Sequence, residues 1–191
     1  MFNLFKTASG GAADPQQDPV LHQVLGTPIA APAQAGQGQA LFGCGCFWGA
    51  EKGFWRLPGV VTTAVGYAGG QLADPSYEQV CSGRTGHAEV VRVVWNAEQI
   101  GFSDLLKLFW ECHDPTQGDR QGNDRGSQYR SCIFVDEPAL LQLAEASREQ
   151  YQAQLRAAGF GPITTQIASG QHFYAAEVYH QQYLAKPGSR P

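Results

Sequence analysis

Gly43-Cys44-Gly45-Cys46-Phe47-Trp48-Gly49-Ala50-Glu51 puts a thiol where an apolar strand, Gln39 to Gly43, turns into a helix-like stretch, with two aromatic rings beside it. Unpaired backbone N–H groups and the macrodipole at a helix start favour a thiolate. Cys46 is therefore placed to be a nucleophile. Phe47 and Trp48 point to a small, partly apolar, sulfur-bearing substrate, because methyl groups and sulfur both pack well on aromatic rings. The competing reading is an inert core cysteine; the flanking glycines and the aromatic pair argue against it.

Positioning that thiol falls to alternating strands and helices. Gln39 to Gly43 reads as a strand and Phe47 to Trp55 as a helix, with a break at Leu57-Pro58-Gly59. Val60 to Tyr67 and Glu89 to Trp95 are strands, the latter with Val91, Val93 and Trp95 on one face. Ser103 is an N-cap candidate for a helix from Asp104 to Cys112, with Leu105, Leu106, Leu108 and Phe109 as its apolar stripe. Tyr129 to Val135 is a further strand, Asp136 caps a helix from Glu137 to Ala158 that ends at Gly159, Ile163 to Ala168 is a strand, and Ala175 to Leu184 a last helix. The pattern predicts an α+β fold, a two-layer α/β sandwich. Crossings after the first and third strands can make βαβ units. Asp114 to Gln128, full of Gly, Asp and Asn, is a long loop, and such loops are often functional.

The chain of 191 residues fits one domain with an extension. Residues Ala8 to Gly38 are rich in Ala, Pro, Gln and Gly and bury too little to repay ordering. They read as an arm, flexible or wrapped on the domain, which divides the chain into 1–38 and 39–191. Thirteen Lys plus Arg against 17 Asp plus Glu, with no basic run, leave nucleic-acid binding without electrostatic support. Five cysteines without regular spacing are no disulfide framework, which points to a reducing cytoplasm. No 18-residue apolar stretch is present, and Met1 to Lys6 lacks the character of a signal peptide, so a soluble, unexported protein with no membrane partner is expected, and a monomer.

Gly45-Cys46-Phe47-Trp48-Gly49 resembles the signature of the A-type peptide methionine sulfoxide reductases, and the resemblance runs from about Leu41 to Leu184. It returns in Gly66-Tyr67-Ala68-Gly69-Gly70, Pro75-Ser76-Tyr77, Val80-Cys81-Ser82-Gly83, Gly86-His87-Ala88-Glu89, His113-Asp114-Pro115-Thr116, Gln121-Gly122-Asn123-Asp124, Gln128-Tyr129-Arg130-Ser131 and Tyr179-His180-Gln181-Gln182-Tyr183. The resemblance implies a mixed sheet in a ferredoxin-like arrangement and reduction of the S-epimer of methionine sulfoxide, free or in proteins, as repair of oxidised proteins. It implies no cofactor and no metal, and an external thiol reductant such as thioredoxin, glutaredoxin or glutathione.

Thiol reduction of a sulfoxide needs a nucleophile, an acid for the departing oxygen and donors to hold that oxygen. Cys46 is the nucleophile. Glu89, opening an apolar strand, matches the family's acid, a role that requires burial to raise its pKa; Glu51, one turn beyond Cys46, is better suited to interact with the helix start. Tyr77 and Tyr129 match tyrosines that hydrogen-bond the oxygen, and Asp124 a residue that fixes a water or the substrate main chain. Phe47 and Trp48 match the pocket for the methyl on sulfur. His87, His113 and His180 are expected to be structural or hydrogen-bonding. Attack leaves a sulfenic acid on Cys46, which condenses with a second thiol. Many relatives carry resolving cysteines in a C-terminal tail, whereas here no Cys follows Cys132. Direct reduction by an external thiol is preferred to Cys81, and Cys81 to Cys44, whose bond to Cys46 closes a small strained ring. Cys112 and Cys132 read as core.

Rival classes fare worse. A metal site from Cys44, Cys46, His87 and His113 lacks paired C-x-x-C spacing. A dinucleotide loop fails because the third glycine falls at Trp48, and a phosphatase thiolate would want an arginine where Lys52 stands. A module that binds oxidised methionine without turning it over is the remaining alternative.

Overall fold

The computed structural model describes residues 18–190. The part of the predicted arm before them lies outside the described residues. In chain order the elements are β1 (Gln37–Cys44), α1 (Phe47–Phe54), β2 (Val60–Ala68), α2 (Tyr77–Cys81), β3 (Ala88–Asn96), α3 (Phe102–Glu111), β4 (Arg120–Gln121), β5 (Asp124–Arg125), β6 (Ser131–Phe134), α4 (Pro138–Ala157), β7 (Gln166–Ala168) and β8 (Tyr174–Ala175). Short 3-10 turns at Ser127–Tyr129, Val178–His180 and Tyr183–Ala185 complete them.

The main sheet has the order β7-β6-β1-β3-β2-β8. β3 lies between β1 and β2 and is antiparallel to both. The first two strands therefore run parallel to each other with β3 inserted, and α1 makes the crossover. β1 is likewise antiparallel to β6, so α3 joins β3 to β6 around β1. These two split βαβ units are the ferredoxin-like arrangement. A third crossover, through α4, adds β7 parallel to β6, and the mixed sheet follows.

The helices pack on one face. Ala40, Phe42 and Cys44 of β1 and Val91, Val93 and Trp95 of β3 meet Phe47, Ala50 and Phe54 of α1 and Leu105, Leu106 and Phe109 of α3 in the main core. The alternation of side chains along a strand sends Leu41, Val90, Cys132 and Phe134 to a smaller cluster on the other face. There Arg92 is buried, giving hydrogen bonds to the carbonyls of Ile29 and Ala31 and to Gln39. These bonds tie Ile29 and Ala31 to β3. His22 is also buried, and Thr27 donates to Val61 O at 2.7 Å.

Several local readings change. α3 starts at Phe102, and its first turn is closed by Asp104 accepting from Gly101 N–H at 3.0 Å, so Ser103 is inside the helix and is not its cap. Asp136 does not cap α4; it accepts from Gly170 N–H at 2.8 Å instead. The strand expected over Ile163 to Ala168 shortens to β7, and the one over Tyr129 to Val135 to β6. Pro75-Ser76 starts an unforeseen short helix, α2, with a reciprocal bond pair between Ser76 and Gln79. The loop over Asp114 to Gln128 carries the hairpin of β4 and β5.

The largest change is the C-terminal segment, where two short 3-10 turns stand in place of an α-helix over Ala175 to Leu184. Its polar side chains serve β2 and α1 instead. Gln181 is buried and uses its amide as a strand would use its backbone, accepting from Val65 N–H at 2.8 Å and donating to Val65 O at 2.8 Å. Gln182, at φ 46, gives its backbone N–H to Glu51 at 2.9 Å and its side-chain amide to Glu51 at 2.7 Å. Glu51 also accepts from Thr63 at 2.9 Å, and Thr63 meets His22 Nε2 at 2.8 Å. Glu51 therefore does not interact with the start of its own helix. It ties the arm, β2, α1 and the C-terminal segment together. Burial raises its carboxyl to about 6, against the pull of these donors.

Removing that carboxylate strands several buried donors. Glu51→Ala is expected to cost about 3 kcal/mol in urea unfolding; a loss under about 1 kcal/mol would show that water replaces the carboxylate without penalty.

Candidate active site

Gly45 ends β1. Its φ is +87, and a Cβ there would stand 2.7 Å from the side chain of Gln121. Conformation and space both require glycine. The turn leaves Cys46 half-buried in the N-cap position of α1. Its sulfur faces the N–H groups of Trp48 and Gly49, which pull its pKa down, yet burial outweighs them and pushes the thiol up to about 11, with the charges of Glu89 and Asp124 adding to the rise. This corrects the expectation of a resting thiolate. Two amide dipoles at a short helix start do not repay the loss of water around a charged sulfur.

Glu89 is only 2% exposed near the start of β3. Its Oε2 accepts from Phe47 N–H at 3.0 Å, so the residue after the nucleophile is tied directly to the carboxyl. Burial raises the carboxyl to about 8, with that N–H pulling the other way and the charge of Asp124 adding a little. At neutral pH the group keeps its proton, as a general acid must.

Around this pair the chain brings rings from four places. Phe47 lies 6.4 Å from Trp48, 6.0 Å from Tyr67 and 5.3 Å from His180 between ring centres. Trp48 stacks on Tyr183 at 3.9 Å and gives its indole N–H to His180 Nδ1 at 3.2 Å. Tyr77 meets His180 at 4.5 Å. Burial lowers the pKa of His180, so the ring is neutral and accepts from Trp48. The two rings offered for a methyl group thus belong to one aromatic wall.

Tyr77 opens α2 and Tyr129 ends the turn after β5. Burial pushes both phenols up, Tyr129 to about 12 and Tyr77 further, and Glu89 contributes to both. They are therefore hydroxyl donors. Asp124 is exposed on β5, close enough for its charge to act on Cys46, Glu89 and Tyr129. Cys81 is exposed at the end of α2, where burial raises its thiol against a hydrogen bond with Tyr77. Cys44 lies in the main core and Cys132 in the smaller cluster, whereas Cys112 is exposed at the C-cap of α3 and is not core.

The four conceivable metal ligands are not brought together. His87 accepts from Gly70 N–H at 3.0 Å and bonds Leu72 O at 2.7 Å, holding a loop. His113 lies with Cys44 and Cys112, a different group.

Sequence reasoning missed Glu177. It accepts from Tyr67 OH at 3.0 Å and from Tyr77 N–H at 2.9 Å, which fixes two rings of the wall. Its only signal was its place just before Tyr179-His180.

A strand-to-helix turn carrying a half-buried thiol, a buried carboxyl of raised pKa and an aromatic wall on a ferredoxin-like sheet is the arrangement of a thiol-dependent redox protein. Known proteins agree. The family profile described as peptide methionine sulfoxide reductase matches residues 38–190. A relative from Azotobacter vinelandii, peptide methionine sulfoxide reductase MsrA, is 59% identical over 179 residues, 93% of this chain and 83% of that one. Among solved structures, methionine sulfoxide reductase A of Corynebacterium diphtheriae superposes with a TM-score of 0.85 at 45% identity, covering 95% of this chain and 89% of that one. Reduced Mxr1 from Saccharomyces cerevisiae superposes at 0.77 and 34% identity, covering 84% and 92%; Mxr1 has also been solved in complex with Trx2. This chain belongs to the A-type peptide methionine sulfoxide reductase family.

The raised thiol pKa has a direct readout. The thiolate fraction of Cys46 climbs about tenfold per pH unit from pH 7 towards 10, and its alkylation by iodoacetamide, followed by mass spectrometry of its peptide, is expected to climb with it. A rate that is flat over this range would mean that the helix start wins over burial.

Proposed function

We propose that this chain reduces the S-epimer of methionine sulfoxide, free or in oxidised proteins, with a thiol as electron donor. The observation that carries the reading is the buried carboxyl of Glu89, which accepts from the N–H of the residue next to Cys46 and whose pKa burial raises. Cys46 attacks the sulfoxide sulfur and gives up its proton. Glu89 protonates the oxygen, and the proton from the thiol restores Glu89. Tyr77 and Tyr129 donate hydrogen bonds to the oxygen as charge develops on it. Phe47 and Trp48 hold the methyl group, and Asp124 fixes a water or the substrate main chain. The attack forms a bond between the Cys46 sulfur and the methionine sulfur, the protonated oxygen leaves as water as the S–O bond breaks, and a water then adds to the Cys46 sulfur, breaking the S–S bond to release methionine and leave a Cys46 sulfenic acid.

Family membership and the relatives named as MsrA support the substrate class, and the resemblance in the sequence supports the S-epimer. The complex of Mxr1 with Trx2 supports a protein thiol as donor; glutaredoxin or glutathione would supply the same electrons. Five free cysteines support a reducing cytoplasm as its place, and among the described residues no helix is long and apolar enough to cross a membrane. The match from residue 38 supports dividing the chain into an extension, 1–38, and a catalytic unit, 39–191.

Separated epimers of N-acetylated methionine sulfoxide, with dithiothreitol as reductant, test the reading. Consumption of the S form alone is expected; consumption of the R form, or of neither, would sink it, and tight binding without turnover would favour a binding module. Glu89→Gln should slow the reductive step by on the order of a hundredfold or more, with Cys46 still open to alkylation. An unchanged single-turnover rate would remove Glu89 as the acid.

A further inference from the structure

On the helix side of the sheet two other thiols meet. Cys44 is the last residue of β1, buried in the main core. Cys112 is the exposed C-cap of α3. Their sulfurs, with a ring nitrogen of His113, lie within 4.8 Å of one another. His113 is already committed: Nδ1 is 2.7 Å from Phe109 O and Nε2 is 2.8 Å from Ser131 Oγ. The cluster therefore offers two sulfurs and no free nitrogen, which makes it a dithiol rather than a metal cage.

The two thiols differ in character. Burial raises the Cys44 thiol, whereas the Cys44 thiol facing it and His113 hold Cys112 down, so Cys112 is the more readily ionised of the two. Cys44 is also joined to Cys46 through Gly45, at φ +87, so the turn that presents the nucleophile begins on Cys44 itself. One member of the pair touches the catalytic turn and the other touches solvent.

We propose that Cys44 and Cys112 recycle Cys46 by passing its oxidation to the surface, a step that rests on the reductase reading above. Cys44 attacks the sulfenic sulfur of Cys46; the S–O bond breaks, the Cys44–Cys46 disulfide forms and water leaves. Cys112, whose sulfur faces that of Cys44, then gives up its proton and attacks Cys44. The Cys44–Cys46 bond breaks, the Cys44–Cys112 bond forms, and Cys46 departs and takes up the proton that Cys112 had released. Two thiols are oxidised to a disulfide while the sulfenic acid is reduced to a thiol. The small ring closed across Gly45 is strained, and exchange to Cys112 relieves it. The external thiol then meets the disulfide at the exposed Cys112.

The test counts product. Full-length protein is reduced, freed of reductant and given excess N-acetylated methionine S-sulfoxide, and the reduced product is measured per chain while disulfides are mapped by mass spectrometry. Wild type should release about two equivalents, because the first oxidation is stored in Cys44–Cys112 and the freed Cys46 reacts again. Cys112→Ser, at an exposed position, should release about one equivalent and hold a Cys46 oxidised or bonded to Cys44; Cys81→Ser should still release about two. One equivalent from wild type, two from Cys112→Ser, or a Cys46–Cys81 disulfide with free Cys112 would overturn the relay while leaving the reductase intact. No product from any protein would overturn the reductase reading and the relay with it.

Discussion

The hydrogen bond from Phe47 N–H to Glu89 organises the site. It joins the first residue of α1 to the head of β3, the central strand, and so fixes the carboxyl relative to the thiol one residue away. It is a single donor to a buried acid, too weak to ionise it against desolvation. The same dryness that keeps Glu89 protonated keeps Cys46 protonated as well. In the proposed reaction the site starts with both protons on board, and Cys46 passes its proton on only once Glu89 has given its own away. An aromatic wall is what such a site requires, because water admitted beside Glu89 would ionise it and cost the reaction its acid.

Most of the wall is held from outside the catalytic turn. Glu177 fixes Tyr67 and the start of α2, and His180 receives the indole of Trp48. The segment bearing them has almost no regular structure, so side chains do the work that a helix or strand ladder would do. Glu51, one helical turn past the nucleophile, holds the other end of that segment through Gln182. The carboxylate chemistry around α1 thus divides: Glu89 faces the turn that carries Cys46 and Glu51 the scaffold.

The strands and the long helices were legible because their periodicity is strong. Val91, Val93 and Trp95 on one face of β3, and the apolar stripe of α3, declared the sheet and the layer that covers it. The split crossovers were not, since antiparallel and crossover connections share the same strand pattern. Ala175 to Leu184 misled because the helix-compatible residues Gln181 and Gln182 spend their amides on distant partners, a tertiary override that local propensity does not record. In the site, the motif located Cys46 and Glu89, and burial, which no motif displays, reversed the charge expected on the sulfur. Glu177 carried no pattern of its own.

Gln181 has a further effect at the margin of the sheet. β8 covers β2 only at Gly66 and Tyr67, and just beyond, at Val65, a side-chain amide occupies both the backbone N–H and the carbonyl. An unpaired strand edge is a template on which a second chain can add. With Gln181 on both groups of Val65, and the Ala176 N–H sharing its carbonyl, this stretch of the β2 edge has no free backbone group left on which a second chain could add.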